Sequence, residues 1–301
     1  MKKALFLLLA AALVLPTSLQ LGAQQRPAIT GIAYVRVYAT SQDASAKFYD
    51  GILGYPRHRV GTEDFYSVSD SQWLQVAPLP AGGSPSFLAA IALTTRNERG
   101  MEAYLKAHGQ KILPQKEKDR FGVLDPEGNL ILFVQQGAKH PGMAESAPRA
   151  VSHRIIHAGF VTHDANAENA FYRDLLGFRP YWHGGGKSDT ATDYMSQQVP
   201  EGKDWIEYML NVRPNPDQHL KGVMNHFSLG VTHMDAAVAQ LQANHCTDAS
   251  CTKSQMGRDG KVQLNLYDPD QTRAELMEFT PVREPCCSPY TGPQPTEVED
   301  R

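Results

Sequence analysis

The sequence predicts an α+β protein made of four strand-helix-strand-strand-strand units paired into two domains, and three observations carry that prediction. First, Phe48-Tyr49-Asp50-Gly51-Ile52-Leu53-Gly54-Tyr55 returns 123 residues later as Phe171-Tyr172-Arg173-Asp174-Leu175-Leu176-Gly177-Phe178, and internal repetition outranks any local signal. Second, an alternating apolar run precedes each copy, Ile32 to Tyr38 and Ile155 to Val161, with the period of a half-buried strand. Third, the turn Asp125-Pro126-Glu127-Gly128-Asn129 is echoed by Asp268-Pro269-Asp270-Gln271-Thr272. Each turn leads into an apolar strand, Leu130–Val134 or Arg273–Phe279.

Taken in order, Met1-Lys2-Lys3 followed by the apolar run Ala4 to Leu15 has the charge-then-apolar order of a secretory signal peptide, with Leu21-Gly22-Ala23 offering a small residue for cleavage before Gln24. The apolar run is shorter than the ~20 residues that span a bilayer. Residues 1–23 are therefore set apart from the fold, and the mature chain is expected in the periplasm or outside the cell. The four units fall at about residues 29–79, 86–136, 152–212 and 223–282, with helices at Asp43–Leu53, Glu98–His108, Ala165–Leu176 and Asp235–Asn244. One helix and four strands cannot close a core, so the units are expected to pair, each pair burying a shared curved sheet. The segment Gly137–Ser152, poor in apolar residues, reads as the link between halves. The domains are then residues 24–140 and 150–285, with a linker at 141–149 and a tail at 286–301.

The balance of 42% apolar to 20% charged residues excludes disordered, collagenous and coiled-coil classes, and a formal net charge of −3 gives no general attraction for polyanions. The expected partner is a small-molecule substrate, with no nucleic acid and no membrane after signal removal; the chain is expected as a monomer or a homodimer. Export lets the four cysteines, Cys246, Cys251, Cys286 and Cys287, pair in one of three ways. A zinc site of all four is disfavoured because adjacent Cys286 and Cys287 lack the spacer that turns two sulfurs toward one ion. A Cys246–Cys251 bridge is expected where the last helix turns back toward a strand.

Tandem units of this order, the FYxxxLG helix end and the DP turn before the final strand resemble the vicinal oxygen chelate (VOC) superfamily, which includes glyoxalase I, the fosfomycin and bleomycin resistance proteins and the extradiol dioxygenases. The resemblance covers nearly all of the chain after residue 23. It implies two glyoxalase-like domains and ligands on the first and last strands of paired units, in the order His, Glu, His, Glu. In the C-terminal half those positions are His157, fifteen residues before Tyr172, then Glu207 in Trp205-Ile206-Glu207-Tyr208, His226 in Asn225-His226-Phe227, and Glu275 in Arg273-Ala274-Glu275-Leu276. Two imidazoles with one or two carboxylates suit one divalent metal ion such as Ni, Zn, Fe, Mn or Co. A mid-strand glutamate facing a core with no partner would cost several kcal/mol, which favours the metal reading over chance. The same count in the N-terminal half gives Tyr34, Gln75, Ala90 and Leu132, a set that cannot hold a divalent ion.

The resemblance implies an exported metal-dependent enzyme acting on a small substrate with vicinal oxygens. Glu207 inclines the reading toward glyoxalase-like lyase or isomerase chemistry through an enediolate, because that position is not a ligand in extradiol dioxygenases. Those enzymes also carry a His and a Tyr before the DP turn, where this chain has Arg258-Asp259 and Asn265. An extradiol ring-cleaving dioxygenase and a non-catalytic binder of the bleomycin resistance type are the alternatives. Glu275 is assigned as the constant ligand and Glu207 as the base, with the reverse assignment left open by the symmetry of the units. Of the other notable residues, His153, His163, His233 and His245 read as solvated or capping. His183-Gly184-Gly185-Gly186-Lys187 reads as a loop, either a lid over the site or an ordinary hairpin, and Trp182 and Trp205 read as core.

Overall fold

Two eight-stranded sheets carry the four units, two units to a sheet. The structure, a computed structural model, describes residues 25–140, 142–143 and 147–298; the expected signal peptide and part of the expected linker lie outside the described residues. The first sheet contains β1 (Ile29–Ala39), β2 (Arg57–Val60), β3 (Glu63–Ser67), β4 (Trp73–Pro78), β5 (Leu88–Thr95), β6 (Leu113–Pro114), β7 (Arg120–Leu124) and β8 (Leu130–Gln135). The second contains β9 (Ile155–Val161), β10 (Arg179–Gly184), β11 (Tyr194–Gln198), β12 (Trp205–Met209), β13 (His226–Val231), β14 (Gln255–Met256), β15 (Val262–Tyr267) and β16 (Arg273–Glu278). In both sheets the first strands of the two units pair antiparallel at the centre, β1 with β5 and β9 with β13. Each first strand also runs parallel to the last strand of its own unit. First and last strands are therefore four neighbours in the middle of each sheet.

The helices depart from expectation in one instructive way. The segment predicted as Asp43–Leu53 begins as α1 (Gln42–Ala46), capped by the Ser41 hydroxyl, and then widens into a π-helical stretch, Lys47–Ile52. Its repeat does the same, α3 (Ala165–Asn169) running into the π-helical stretch Ala170–Leu175. Gly54 and Gly177 end the two helices at φ 82° and 76°, conformations that glycine adopts without steric cost. The helices α2 (Glu98–Ala107) and α5 (Met234–Ala243) lie where periodicity placed them, whereas α4 (Gln218–Met224) is additional. It follows Pro214 and Pro216, is seven residues long, and starts where the Asp217 carboxylate accepts the Leu220 N–H at 2.9 Å.

The widened turns aim two tyrosines across the molecule. Tyr49 donates to Asp268 at 2.9 Å, and Tyr172 donates to Asp125 at 3.1 Å, so each FY motif meets the DP turn of the opposite half. A second reciprocal pair lies beside them: Thr40 N–H and hydroxyl donate to Asp270, and His163 pairs with Glu127. One apolar cluster accordingly runs through both halves, from Ile29 and Tyr49 to Phe171 and Leu276. The four cysteines form Cys246–Cys251, as expected, and Cys286–Cys287.

Burial pushes the Asp268 carboxyl up to about 7, against the lowering effect of the Thr272 N–H and the Tyr49 hydroxyl. Asp125 is pushed up to about 6 for the same reason. A carboxyl whose folded pKa is raised contributes stability that is full below its unfolded pKa of about 3.9 and is lost as pH rises through the folded value. Wild type is therefore expected to lose urea stability relative to Asp268→Asn between pH 5 and pH 8, at up to about 1.4 kcal/mol per pH unit. A relative stability that rises over that interval would contradict the assignment.

Candidate metal centre

The register of the second sheet explains why four residues from four strands face one another. Ser228 on β13 is the cross-strand neighbour of both His157 and Glu275, and Gly159 on β9 is the neighbour of both Glu207 and His226. Side chains two residues apart on a strand share a face, so all four positions point into the concavity of the sheet. His157 Nε2 lies 3.1 Å from His226 Nε2 and 3.2 Å from Glu275 Oε2. The three residues present donor atoms that all lie within 4.8 Å of one another. Glu207 stands to one side, its Oε2 3.7 Å from His226 Nε2 and its Oε1 3.4 Å from the Ser196 hydroxyl.

His226 owes its position to a missing side chain. A Cβ on Gly159 would come within 2.2 Å of the His226 ring, so the imidazole occupies space that any other residue would fill. Its Nδ1 faces the Met224 carbonyl at 3.3 Å, which directs the Nε2 lone pair inward. His157 is held differently: its ring stacks on Trp205 at 4.6 Å, and its Nδ1 has no hydrogen-bond partner among the described residues. Gly159→Ala is expected to keep the fold and weaken divalent-metal affinity by about 10–100-fold, the range found when a ligand's support is disturbed. Isothermal titration with zinc would measure it, and an unchanged affinity would show that the close approach is not required.

The electrostatics suit a cation. Burial drives both imidazoles below the ordinary histidine value, His226 furthest, with the Arg273 charge adding to the effect. Both are then neutral near pH 7. Burial would raise the Glu275 carboxyl, but Arg273 and His157 outweigh it and hold Glu275 below the usual carboxylate range. Glu207 is pushed up to about 8 by burial and by the charge of Glu275, partly offset by Arg273. Two imidazole nitrogens and a carboxylate oxygen converging in a buried place require a proton or a cation between them. Separations of 3.1 and 3.2 Å match the edges of a coordination polyhedron with bonds of about 2.1 Å. The residues fit a divalent ion.

A cavity of about 300 Å³ opens onto Glu207, Glu275 and Arg273 and is walled by aromatic residues including Trp182, Tyr194 and Trp205. Arg273 lies two residues before Glu275 on β16, its Nη1 3.9 Å from Glu275 Oε1. Arg273 was not singled out in the sequence, although its spacing from Glu275 places it on the same face. Trp182 and Trp205, read as core, are 5% and 2% exposed, yet both border the cavity. The glycine loop after His183 borders it through Gly186, whose N–H donates to Asp193 at 2.8 Å. His153, His163, His233 and His245 all lie outside the cluster.

In the first sheet the register singles out the same four positions that counting did: Tyr34, Gln75, Ala90 and Leu132. The Tyr34 ring stacks on Trp73 at 4.5 Å, as His157 does on Trp205, and the Arg120 guanidinium lies 5.5 Å over Tyr34. Tyr34, Trp73, Ala90 and Leu132 pack there in one buried apolar cluster.

A family model described as Glyoxalase/Bleomycin resistance protein/Dioxygenase superfamily matches residues 154–276. No curated protein is significantly similar in sequence to the chain. Among solved structures, an extradiol ring-cleaving dioxygenase from B. fuscum is 19% identical with a TM-score of 0.64, the match covering 84% of this chain and 72% of that one. Homoprotocatechuate 2,3-dioxygenase from Arthrobacter globiformis is 20% identical with a TM-score of 0.62, covering 84% and 80%. The Brevibacterium fuscum enzyme in complex with 3,4-dihydroxyphenylacetate is 19% identical, again with a TM-score of 0.62, covering 84% and 81%. At these identities the likeness is one of fold. The sequence match thus falls on the half that carries the His-His-Glu cluster, and over both halves the chain has the two-domain fold that the VOC superfamily's extradiol dioxygenases show.

Proposed function

We propose that the C-terminal half is a metal-dependent enzyme centre in which His157, His226 and Glu275 hold one divalent ion and a small substrate presents two adjacent oxygens to it. The convergence of three buried donors supports this reading. Bound there, the ion would supply Lewis-acid stabilisation to a catecholate- or enediolate-like substrate. Two histidines and one carboxylate form the donor set of non-haem iron(II) oxygenases. That set favours extradiol-type cleavage of an aromatic ring over the glyoxalase-like reading that Glu207 first suggested. In this reading the cation would hold the neighbouring Glu207 ionised against the burial that otherwise raises it; Glu207, not needed as a ligand, then accepts a proton from a substrate hydroxyl, Arg273 offsets the negative charge of the site, and the aromatic walls exclude water. The position of Glu207 beside the cluster supports a second reading, in which it moves a proton between adjacent carbons and the enzyme is a lyase or isomerase.

The two readings separate in one experiment. Metal-free protein is loaded anaerobically with Fe, Mn, Co, Ni or Zn and given 3,4-dihydroxyphenylacetate or a 2-oxo-aldehyde adduct. Oxygen uptake matched by a visible ring-opened product identifies ring cleavage, while deuterium incorporation without oxygen uptake identifies the isomerase. If neither occurs with any metal, the protein is a binder and the enzymatic proposal fails. Glu207→Gln is expected to keep the metal and slow either reaction by about 10²–10⁴-fold. We propose further that the chain works in the periplasm or outside the cell; its paired cysteines support this.

A further inference from the structure

Beyond β16 the chain doubles back along the second sheet and closes one side of the cavity. Cys286 N–H donates to the Arg258 carbonyl at 2.8 Å, the Trp182 indole N–H to the Cys286 carbonyl at 3.1 Å, and Thr291 N–H to the Tyr181 carbonyl at 3.0 Å. The Ser288 hydroxyl meets both the N–H and the carbonyl of His183 at 2.9 Å. The tail thus bridges β10 and the loop before β15, and it lies outside the stretch matched by the family model.

Within that bridge the Tyr290 ring reaches the cavity while other groups hold it from behind. Its hydroxyl donates to Asp259 at 3.3 Å, and its ring packs on Tyr181 at 4.8 Å. The buried Lys261 ammonium lies 5.4 Å over it and 4.9 Å over Trp205, the ring stacked on His157. A tyrosine that only anchored the tail would have its ring fully covered, whereas this ring is half-buried and turned toward the cavity. With its hydroxyl held by Asp259 and its ring packed on Tyr181 and Lys261, what it offers to the cavity that it lines together with Trp182 and Glu275 is an immobilised aromatic surface. Flat rings pack on such surfaces with a preference that open-chain molecules lack.

We propose that Tyr290 is a specificity-determining residue, the substrate-facing part of a wall built by the tail, which selects molecules carrying their two adjacent oxygens on a planar ring. This rests on the vicinal-oxygen reading above. The test uses full-length mature protein loaded with zinc and two probes: 4-nitrocatechol, followed by its absorbance and by tryptophan fluorescence, and hydroxyacetone, which has adjacent oxygens and no ring. Tyr290→Leu is expected to weaken 4-nitrocatechol binding by about 10-fold and hydroxyacetone by less than about 2-fold, because the apolar volume remains and the ring is lost. Tyr290→Phe should bind both as wild type does, with zinc stoichiometry unchanged throughout. The proposal is overturned if Tyr290→Leu binds 4-nitrocatechol normally, if it loses both probes equally, or if Tyr290→Phe is as weak as Tyr290→Leu. Failure of zinc-loaded wild type to bind either probe overturns the vicinal-oxygen reading and this proposal together, whereas normal wild-type binding with an indifferent Tyr290 overturns this proposal alone.

Discussion

His226→Ala is expected to retain both sheets and lose its divalent metal. Wild type should carry about one ion per chain after reconstitution and dialysis, since the cluster offers one set of three donors. Removing the His226 imidazole leaves His157 and Glu275 facing an emptied space above Gly159. The loss of affinity should exceed the about 10–100-fold typical of disturbing a ligand's support. Plasma emission analysis of dialysed protein reads the result directly. His163→Ala serves as control, because that exposed ring pairs with Glu127 at 2.8 Å and should leave metal content unchanged. Equal metal in His226→Ala and wild type would remove this histidine from the site.

The largest expected loss of stability comes from a different buried charge. Arg154 Nη2 and Nη1 meet Asp204 at 2.6 and 3.2 Å, and Asp204 also accepts the Ile32 N–H from the other half at 2.9 Å. The two side chains are 3% and 0% exposed. Arg154→Met would take the guanidinium away from a buried carboxylate, and removing one partner of a buried ion pair costs about 3–5 kcal/mol. Urea unfolding at pH 7 should show that loss, and Arg154→Met combined with Asp204→Asn should recover part of it by removing the buried negative charge. A loss of less than about 1 kcal/mol would mean that the interior solvates Asp204 by other means.

The central strands and the four family positions were legible because the FY motif counts back to the first strand, and because alternation dictates which side chains share a face. Counting placed Tyr34 where the register places it, opposite Trp73 just as His157 is opposite Trp205. The π-helical turns were not legible: Lys47–Ile52 keeps an ordinary helical pattern of residues, and the wider turn accompanies a contact that Tyr49 makes 219 residues away in sequence. Nor could local pattern show that the Pro-rich tail would wall a cavity, since its partners, Tyr181, Trp182 and Arg258, are non-local. Residue type revealed Glu207, but its offset from the three converging donors depends on side-chain placement across β11, β12 and β13. The glyoxalase-first reading leaned on that residue's identity, and its position supports a role beside the metal set.

The crossed contacts between tyrosines and aspartates also bear on how such a duplicated chain can change over time. Each half lends its twin one hydroxyl and one carboxyl, so the copies are bound to each other by something other than chemistry on substrate. The first copy can therefore carry Tyr34, Gln75, Ala90 and Leu132 at the positions that correspond to His157, Glu207, His226 and Glu275 without becoming dispensable. It survives as half of a joint. A protein split within the link between the sheets would yield two fragments, each carrying an unmet tyrosine and an unmet aspartate, and co-expression should reunite what separate expression cannot fold.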